Sequence, residues 1–290
     1  MSTSRALAVG IALLASTSPT QAFDVTGCNQ TVPAGEIGVL QADLDCPATE
    51  VGVKLERNAR LLLNGHSIRG GLQGITARGP GAFRVLGPGE VSGAQNGCIV
   101  GFLNPEDEGR KVNLSVWDVT VAGCPLVGIS ASRLDLRNVT VVETGVVDTV
   151  ANTWSGMGVS AGSVRIRDSL VERNALGLRS TRNLKMLRVT VRDNRGGVAT
   201  SEGSVTAIGS VVTGNWTDGI AAGGAFHPAA IYLRDSIVDG NALGGDYRDL
   251  VSARPVRLRN STCGTSGKIV YDSTADTTVI RGTWGICTDD

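Results

Sequence analysis

An all-β chain wound as a parallel solenoid is what this sequence predicts, and three observations predict it. A phrase of alternating apolar residues recurs as VRIRDSLVERN (164–174), LKMLRVTVRDN (184–194), VTAIGSVVTGN (205–215) and IYLRDSIVDGN (231–241). Its closing Val-x-x-Asn places Val171, Val191, Val212 and Val238 at spacings of 20, 21 and 26 residues, a period that belongs to stacked repeats. The composition, with 39 glycines and 4% aromatics, suits tight turns around thin aliphatic coils and not a conventional α/β enzyme. The predicted architecture is a single-stranded right-handed parallel β-helix of about nine coils, its hand following the usual chirality of parallel connections.

Each segment takes its place in that scheme. Residues 1–22 read as an export signal: Arg5 supplies positive charge, Ala6 to Ala15 is a short apolar run, and Thr20-Gln21-Ala22 is a small-residue cleavage site. Neither that run nor any later stretch is long enough to span a bilayer. Residues 23–50 form an N-terminal cap, 51–262 the coils and 263–290 a C-terminal cap, all within one domain. The early copies RLLLNGHSIRGG (60–71) and FRVLGPGEVSG (83–93) are degenerate. LSVWDVTVAGC (114–124) and LDLRNVTVVET (134–144) follow them, and VRLRNSTCGTS (256–266) ends the series. Glycine-containing segments between phrases, such as GMGVSA and GVATS, add at least one further strand per coil. Within a phrase the period is two, so Val164, Ile166 and Val171 point inward while Arg165 and Arg167 point out. Helical periodicity is absent after the export signal, and a β-propeller would need blades of about 40 residues.

Six cysteines, an even number in an exported chain, favour disulfides. Pairing by proximity gives Cys28–Cys46, Cys98–Cys124 and Cys263–Cys287, the first and last stapling the ends, where unpaired strand edges fray. No CxxC or Cys/His cluster suggests a metal finger. A formal net charge of zero gives no support to nucleic-acid binding. Only Lys54, Lys111, Lys185 and Lys268 are lysines among the 27 cationic residues. Asn174, Asn194, Asn215 and Asn241 suit the turn leaving each strand, because asparagine tolerates left-handed backbone, and when stacked their amides can bond to one another. The sequons at Asn113, Asn138, Asn215 and Asn260 are by-products of the same pattern.

The asparagine series and the opening coil ARLLLNGHSIRGG, with its L-x-L-N-G-H-x-I segment, resemble the right-handed parallel β-helix repeat proteins of the pectin-lyase-like group over roughly residues 28–290. That resemblance implies a secreted β-helix. It also implies either action on uronic-acid polymers, by lyases, hydrolases or epimerases, or a repeat protein without activity; fold does not choose. The W-x-D-H stretch of the pectate lyases is missing, as is the G-H-G of the polygalacturonases, and the one Asp-Asp is Asp289-Asp290 at the end of the chain. His66 falls in the matching segment, in a position that orders the first coil; His227 matches no motif.

The register turns the repeat into predicted neighbours about 4.8 Å apart. Glu143, Arg173 and Asp193 form one exposed ladder, and Glu172 lies above Arg192; these are self-paired surface charges of small energetic value. The fourth position reads Trp117, Arg137, Arg167, Leu187, Ile208, Arg234, Arg259, and the second adds Arg165, Lys185, Tyr232 and Arg257. Like charges stacked on adjacent rungs are costly unless loop acids or an anion compensate. Arginine forks suit carboxylates and sulfates, and aromatic rings stack on sugars. Trp117, Arg137, Arg167, Tyr232, Arg234 and Arg259 are therefore the candidate binders of an acidic polysaccharide. Elimination from a uronate needs a base for the C5 proton and a cation near the carboxylate, either of which Arg or Lys can supply, and Lys185 beside Arg165 is the best-placed lysine, so these two are the catalytic candidates. Hydrolysis ranks lower, because no adjacent coils pair exposed acids at one position. The excursions at 102–112, 145–156, 221–230 and 244–250 hold Glu106, Asp107, Glu108, Asp148, Trp154, His227, Asp246, Tyr247 and Asp249, carboxylates from which a Ca²⁺ site could be assembled. The alternative function is a noncatalytic envelope or extracellular β-helix that binds glycans or serves as a rigid module.

Overall fold

The computed structural model describes residues 22–102, 109–148, 153–224, 227–245, 247–272 and 277–290. Every regular element among them is a strand, and 29 strands join in one largely parallel sheet. The reason is visible in the register, since each strand pairs with the strand one repeat later. Leu176–Ser180 pairs with Gly196–Thr200, then Ile220–Ala222, then Leu250–Ser252. Leu184–Leu187 pairs with Val205–Ile208, then Ile231–Arg234, then Arg257–Arg259. A third series runs from Thr190–Arg192 through Val211–Thr213 and Ile237–Val238 to Thr262–Cys263. The chain thus presents three stacked strand series per repeat, an arrangement compatible with a solenoid. Among the described residues antiparallel pairing joins Val146–Asp148 with Thr153–Ser155 and Ser266–Asp272 with Thr277–Ile280, with a single bridge between Gly223 and Pro228.

Alternation decides which side chains fill the interior. Val164, Ile166 and Val171 are buried as the period-two reading requires, whereas Arg165 lies exposed and Arg167 half-buried beside them. The core is a continuous aliphatic column in which Phe83 is the largest fully buried side chain. No strand series can bury its inner edge alone, so stability comes from rung-on-rung packing of Val, Leu and Ile.

The asparagines act differently from the expectation. Left-handed backbone falls on the residue before each of them: Arg173 (φ 54°), Asp193 (φ 55°), Gly214 (φ 67°) and Gly240 (φ 65°). That residue turns the corner outward, which leaves the following asparagine pointing into the coil. There the amides form a ladder. Asn174 Nδ2 donates to Asn194 Oδ1 at 2.9 Å, Asn194 Nδ2 to Asn215 Oδ1 at 3.0 Å and Asn215 Nδ2 to Asn241 Oδ1 at 2.7 Å. Each oxygen also takes the backbone N–H of the preceding rung, and each amide also reaches a valine carbonyl, so these buried groups are satisfied. Asn215, the sequon residue, is fully buried.

A second ladder, unforeseen in the sequence, lines the other corner. Ser169, Ser210, Ser236 and Ser261 each accept a backbone N–H from the preceding rung and donate to the carbonyl two residues back. Left-handed residues such as Asp168 and Asp235 precede them.

The disulfides pair Cys28 with Cys46, Cys98 with Cys124 and Cys263 with Cys287, as sequence proximity suggested. No helix among the described residues is long and apolar enough to cross a membrane. Residues 1–21, the bulk of the predicted export signal, lie outside the described residues.

Candidate functional site

Two outward rows of the series that includes Leu184–Leu187 carry the charge. The inner row of the pleat is buried, so every second residue is presented to solvent, and its neighbours are set by strand pairing. In one row Trp117 pairs with Arg137, Arg137 with Arg167, Arg167 with Leu187, Leu187 with Ile208, Ile208 with Arg234 and Arg234 with Arg259. In the other, Arg60, Arg84, Ser115, Asp135, Arg165, Lys185, Thr206, Tyr232 and Arg257 follow one another. The predicted register is therefore the observed one. Among these two rows Asp135 is the single carboxylate.

Partners divide the cations. Arg137 donates to Asp135 at 3.1 Å and lies over the Trp117 ring at 4.3 Å, with Arg84 approaching the same ring at 5.6 Å. Arg257 stands 5.5 Å from the Tyr232 ring, and Arg234 Nε is 3.6 Å from Asp235. Arg165, Arg167 and Arg259 have no ion pair among the described residues. Several buried polar atoms here lack a hydrogen-bond partner: Trp117 Nε1, Asp135 Oδ1, Arg137 Nε and Arg167 Nε. Such atoms cost free energy unless something supplies the missing bond. Arg165 and Lys185, paired across adjacent strands, line both an open groove of about 460 Å³ with Asp135 and Ser115 and a smaller one with Arg167.

Elsewhere the charges neutralise one another. Arg173 reaches Glu143 at 3.2 Å and Glu172 at 2.7 Å, and Arg192 reaches Glu172 at 2.8 Å. Burial works against the Glu172 charge, but the Arg192 hydrogen bond and the charges of Arg173 and Arg192 hold its carboxyl below the usual range. His66 Nδ1 lies 3.4 Å from Asp43, whose carboxyl is held low chiefly by the Ser67 N–H, so His66 fixes an early turn.

Asp249 is not a loop ligand: it is buried and accepts from Asn241 and Thr265 as the last rung of the amide ladder. Its position after an irregular excursion hides this from the sequence period. Glu106, Asp107, Glu108 and Asp246 lie outside the described residues, as do the side chains of Asp148 and Trp154. His227 is exposed. No group of three His, Cys, Asp or Glu able to hold a metal occurs among the described residues.

A second groove, of about 460 Å³, was not legible in the repeat. It opens on the series that includes Gly196–Thr200 and is walled by Trp216, Tyr247, Asp218, Arg179 and Arg195. Trp216 and Tyr247 are among the exposed large apolar side chains. The available signal was Trp216 directly after ladder residue Asn215, a large aromatic where Ala175 and Arg195 occupy the equivalent places. No family model, no curated protein and no solved structure matches this chain.

Proposed function

We infer that the chain is an exported right-handed parallel β-helix of about nine coils, similar to the pectin-lyase-like repeat proteins, that binds an acidic polysaccharide. Three disulfides fit an oxidising compartment. The observation that carries the binding reading is Arg137 beside Arg167. They are like charges on paired strands, each with an unpartnered buried Nε, adjoining Trp117. A polyuronate or sulfated chain running along the stack supplies anions at successive rungs, which removes the repulsion and fills the missing bonds. Trp117 and Tyr232 offer ring faces to the sugars, and Arg234 and Arg259 extend the contact. Replacing Arg137 and Arg167 together by alanine abolishes retention on a polyuronate matrix; unchanged retention refutes the reading.

A lyase-type activity is the second reading, favoured by the pairing of Arg165 with Lys185 in a groove. In it Arg165 offsets the uronate carboxylate, Lys185 takes the C5 proton, the C4–O bond breaks as the C4–C5 double bond forms, and the departing oxygen takes a proton from solvent. Absorbance of the unsaturated product during digestion of pectate, alginate or glycosaminoglycans, with and without Ca²⁺, tests it. Binding without product leaves the noncatalytic glycan-binding protein.

A further inference from the structure

The groove around Trp216 differs in chemistry from the cationic face. Its floor holds Arg179, Ala199 and Ala221 of one outward row, each paired to the next. The small side chains of Ala199 and Ala221, on paired strands about 4.8 Å apart, leave a short trough beside Arg179. Small residues alone make no site, but here the row runs into a walled cavity with two exposed aromatic rings at its end.

Trp216 is held in place. Its N–H donates to the Asn194 carbonyl at 2.9 Å, its carbonyl accepts from the Gly244 N–H at 2.8 Å, and the indole lies against Gly244, where a Cβ would come within 2.5 Å of Nε1. The amide ladder one residue earlier fixes the same corner, so the ring is preorganised although 53% exposed. Asp218, two residues on, spends Oδ1 on the Arg248 N–H at 2.9 Å, and its other oxygen is left to the groove. Burial pushes its carboxyl pKa up, against the Arg248 N–H and charge. Thr217 adds a hydroxyl, while those of Thr200 and Ser201 already donate to the Gly203 and Thr181 carbonyls.

An exposed indole plate, a carboxylate with a free oxygen, a hydroxyl and a guanidinium beside a trough form the donor and acceptor set that recognises a sugar ring by its hydroxyls and its apolar face. The other face sets Asp135 alone among nine cations, whereas here Asp218 stands with only two, Arg179 and Arg195. We propose that this groove is a second saccharide site, taking a neutral oligosaccharide that stacks on Trp216 and lies over Ala199 and Ala221 beside Arg179.

The test uses the full chain, titrated calorimetrically with a neutral galactan tetrasaccharide. The parent binds it, Trp216→Ala weakens binding about tenfold, and Trp216→Phe restores most of the loss. Ala199→Arg, on the outward side of its strand, blocks the trough and weakens binding by a similar factor without touching the Trp216 loop. Retention on polyuronate stays unchanged in all three variants, so this site and the cationic face succeed or fail separately. Absence of tetrasaccharide binding by the parent, or parental affinity in both Trp216→Ala and Ala199→Arg, overturns the proposal.

Discussion

Asn241 donates its backbone N–H and its side-chain amide to one oxygen of Asp249, at 2.9 and 2.8 Å, while the other Asp249 oxygen accepts from the Thr265 N–H and hydroxyl at 2.9 and 3.0 Å. The ladder is therefore directional. Every amide accepts from the rung before it and donates to the rung after it, and the last rung must accept only. A carboxylate meets that demand, whereas an amide carries donors on one side.

Asp249→Asn aims a donor at the Thr265 N–H and costs about 2 kcal/mol, the penalty of a buried group left unmatched. Asn194→Ala removes the acceptor of two Asn174 donors and the donor to the Val171 carbonyl. Its cost is larger, about 3 kcal/mol. Urea unfolding followed by far-UV circular dichroism measures both, and an Asn194→Ala variant as stable as the parent contradicts the ladder's role.

Arg167→Gln raises stability at low salt, because it removes one of two like charges on paired strands, of which only Arg137 has an ion pair, with Asp135. The gain shrinks as salt screens the pair. Thermal melts at low and high ionic strength check this, and a salt-independent difference points to packing instead.

Asp218 gives the pH dependence a sign. Burial raises its carboxyl, with the Arg248 N–H and charge pulling down and the Asp249 charge adding to the rise. A carboxyl raised in the fold contributes stability below its unfolded pKa, and that contribution is lost as pH rises through the folded pKa. Asp218→Asn keeps an acceptor for the Arg248 N–H without the buried charge. Its stability relative to the parent therefore grows from the acid side of the carboxylate range to neutral pH. A constant difference across that range means the carboxyl titrates as in the unfolded chain.

Opening the Cys263–Cys287 bridge by a double serine substitution frees a loop with a sequence separation of 24 residues and costs about 3 kcal/mol. The strands Thr262–Cys263 and Ser266–Asp272 lie at that end, so amide exchange accelerates there first. Uniform acceleration along the chain shows instead that the stack opens as one unit.

What the sequence made legible follows the strict period. Arg137 over Arg167, Glu172 over Arg192 and the asparagine stack all came from counting positions in a phrase, and the strand pairing reproduces each. The adjacent-cysteine pairing needed only chain proximity. Three features escaped, each for a physical reason. The left-handed residue and the ladder residue are neighbours, and asparagine's tolerance of positive φ drew attention to the wrong one of the two. Ser169, Ser210 and Ser236 alternate with Val139 and Val189 at a buried corner, so size and not polarity was the visible constraint. Asp249 and Tyr247 reach their places through irregular backbone, where no period indicates which rung a residue will join.

The directionality of the amide ladder also bears on how such a chain can lengthen. A duplicated repeat inserted between Asn194 and Asn215 meets a donor on one side and an acceptor on the other, so the hydrogen-bond chain reseals without any compensating change. The same duplication placed beyond Asp249 meets an acceptor where it needs a donor-compatible junction. Tandem copying is thus compatible with the amide ladder from Asn174 to Asn241 and breaks it at Asp249, where the ladder ends although the strand pairing continues.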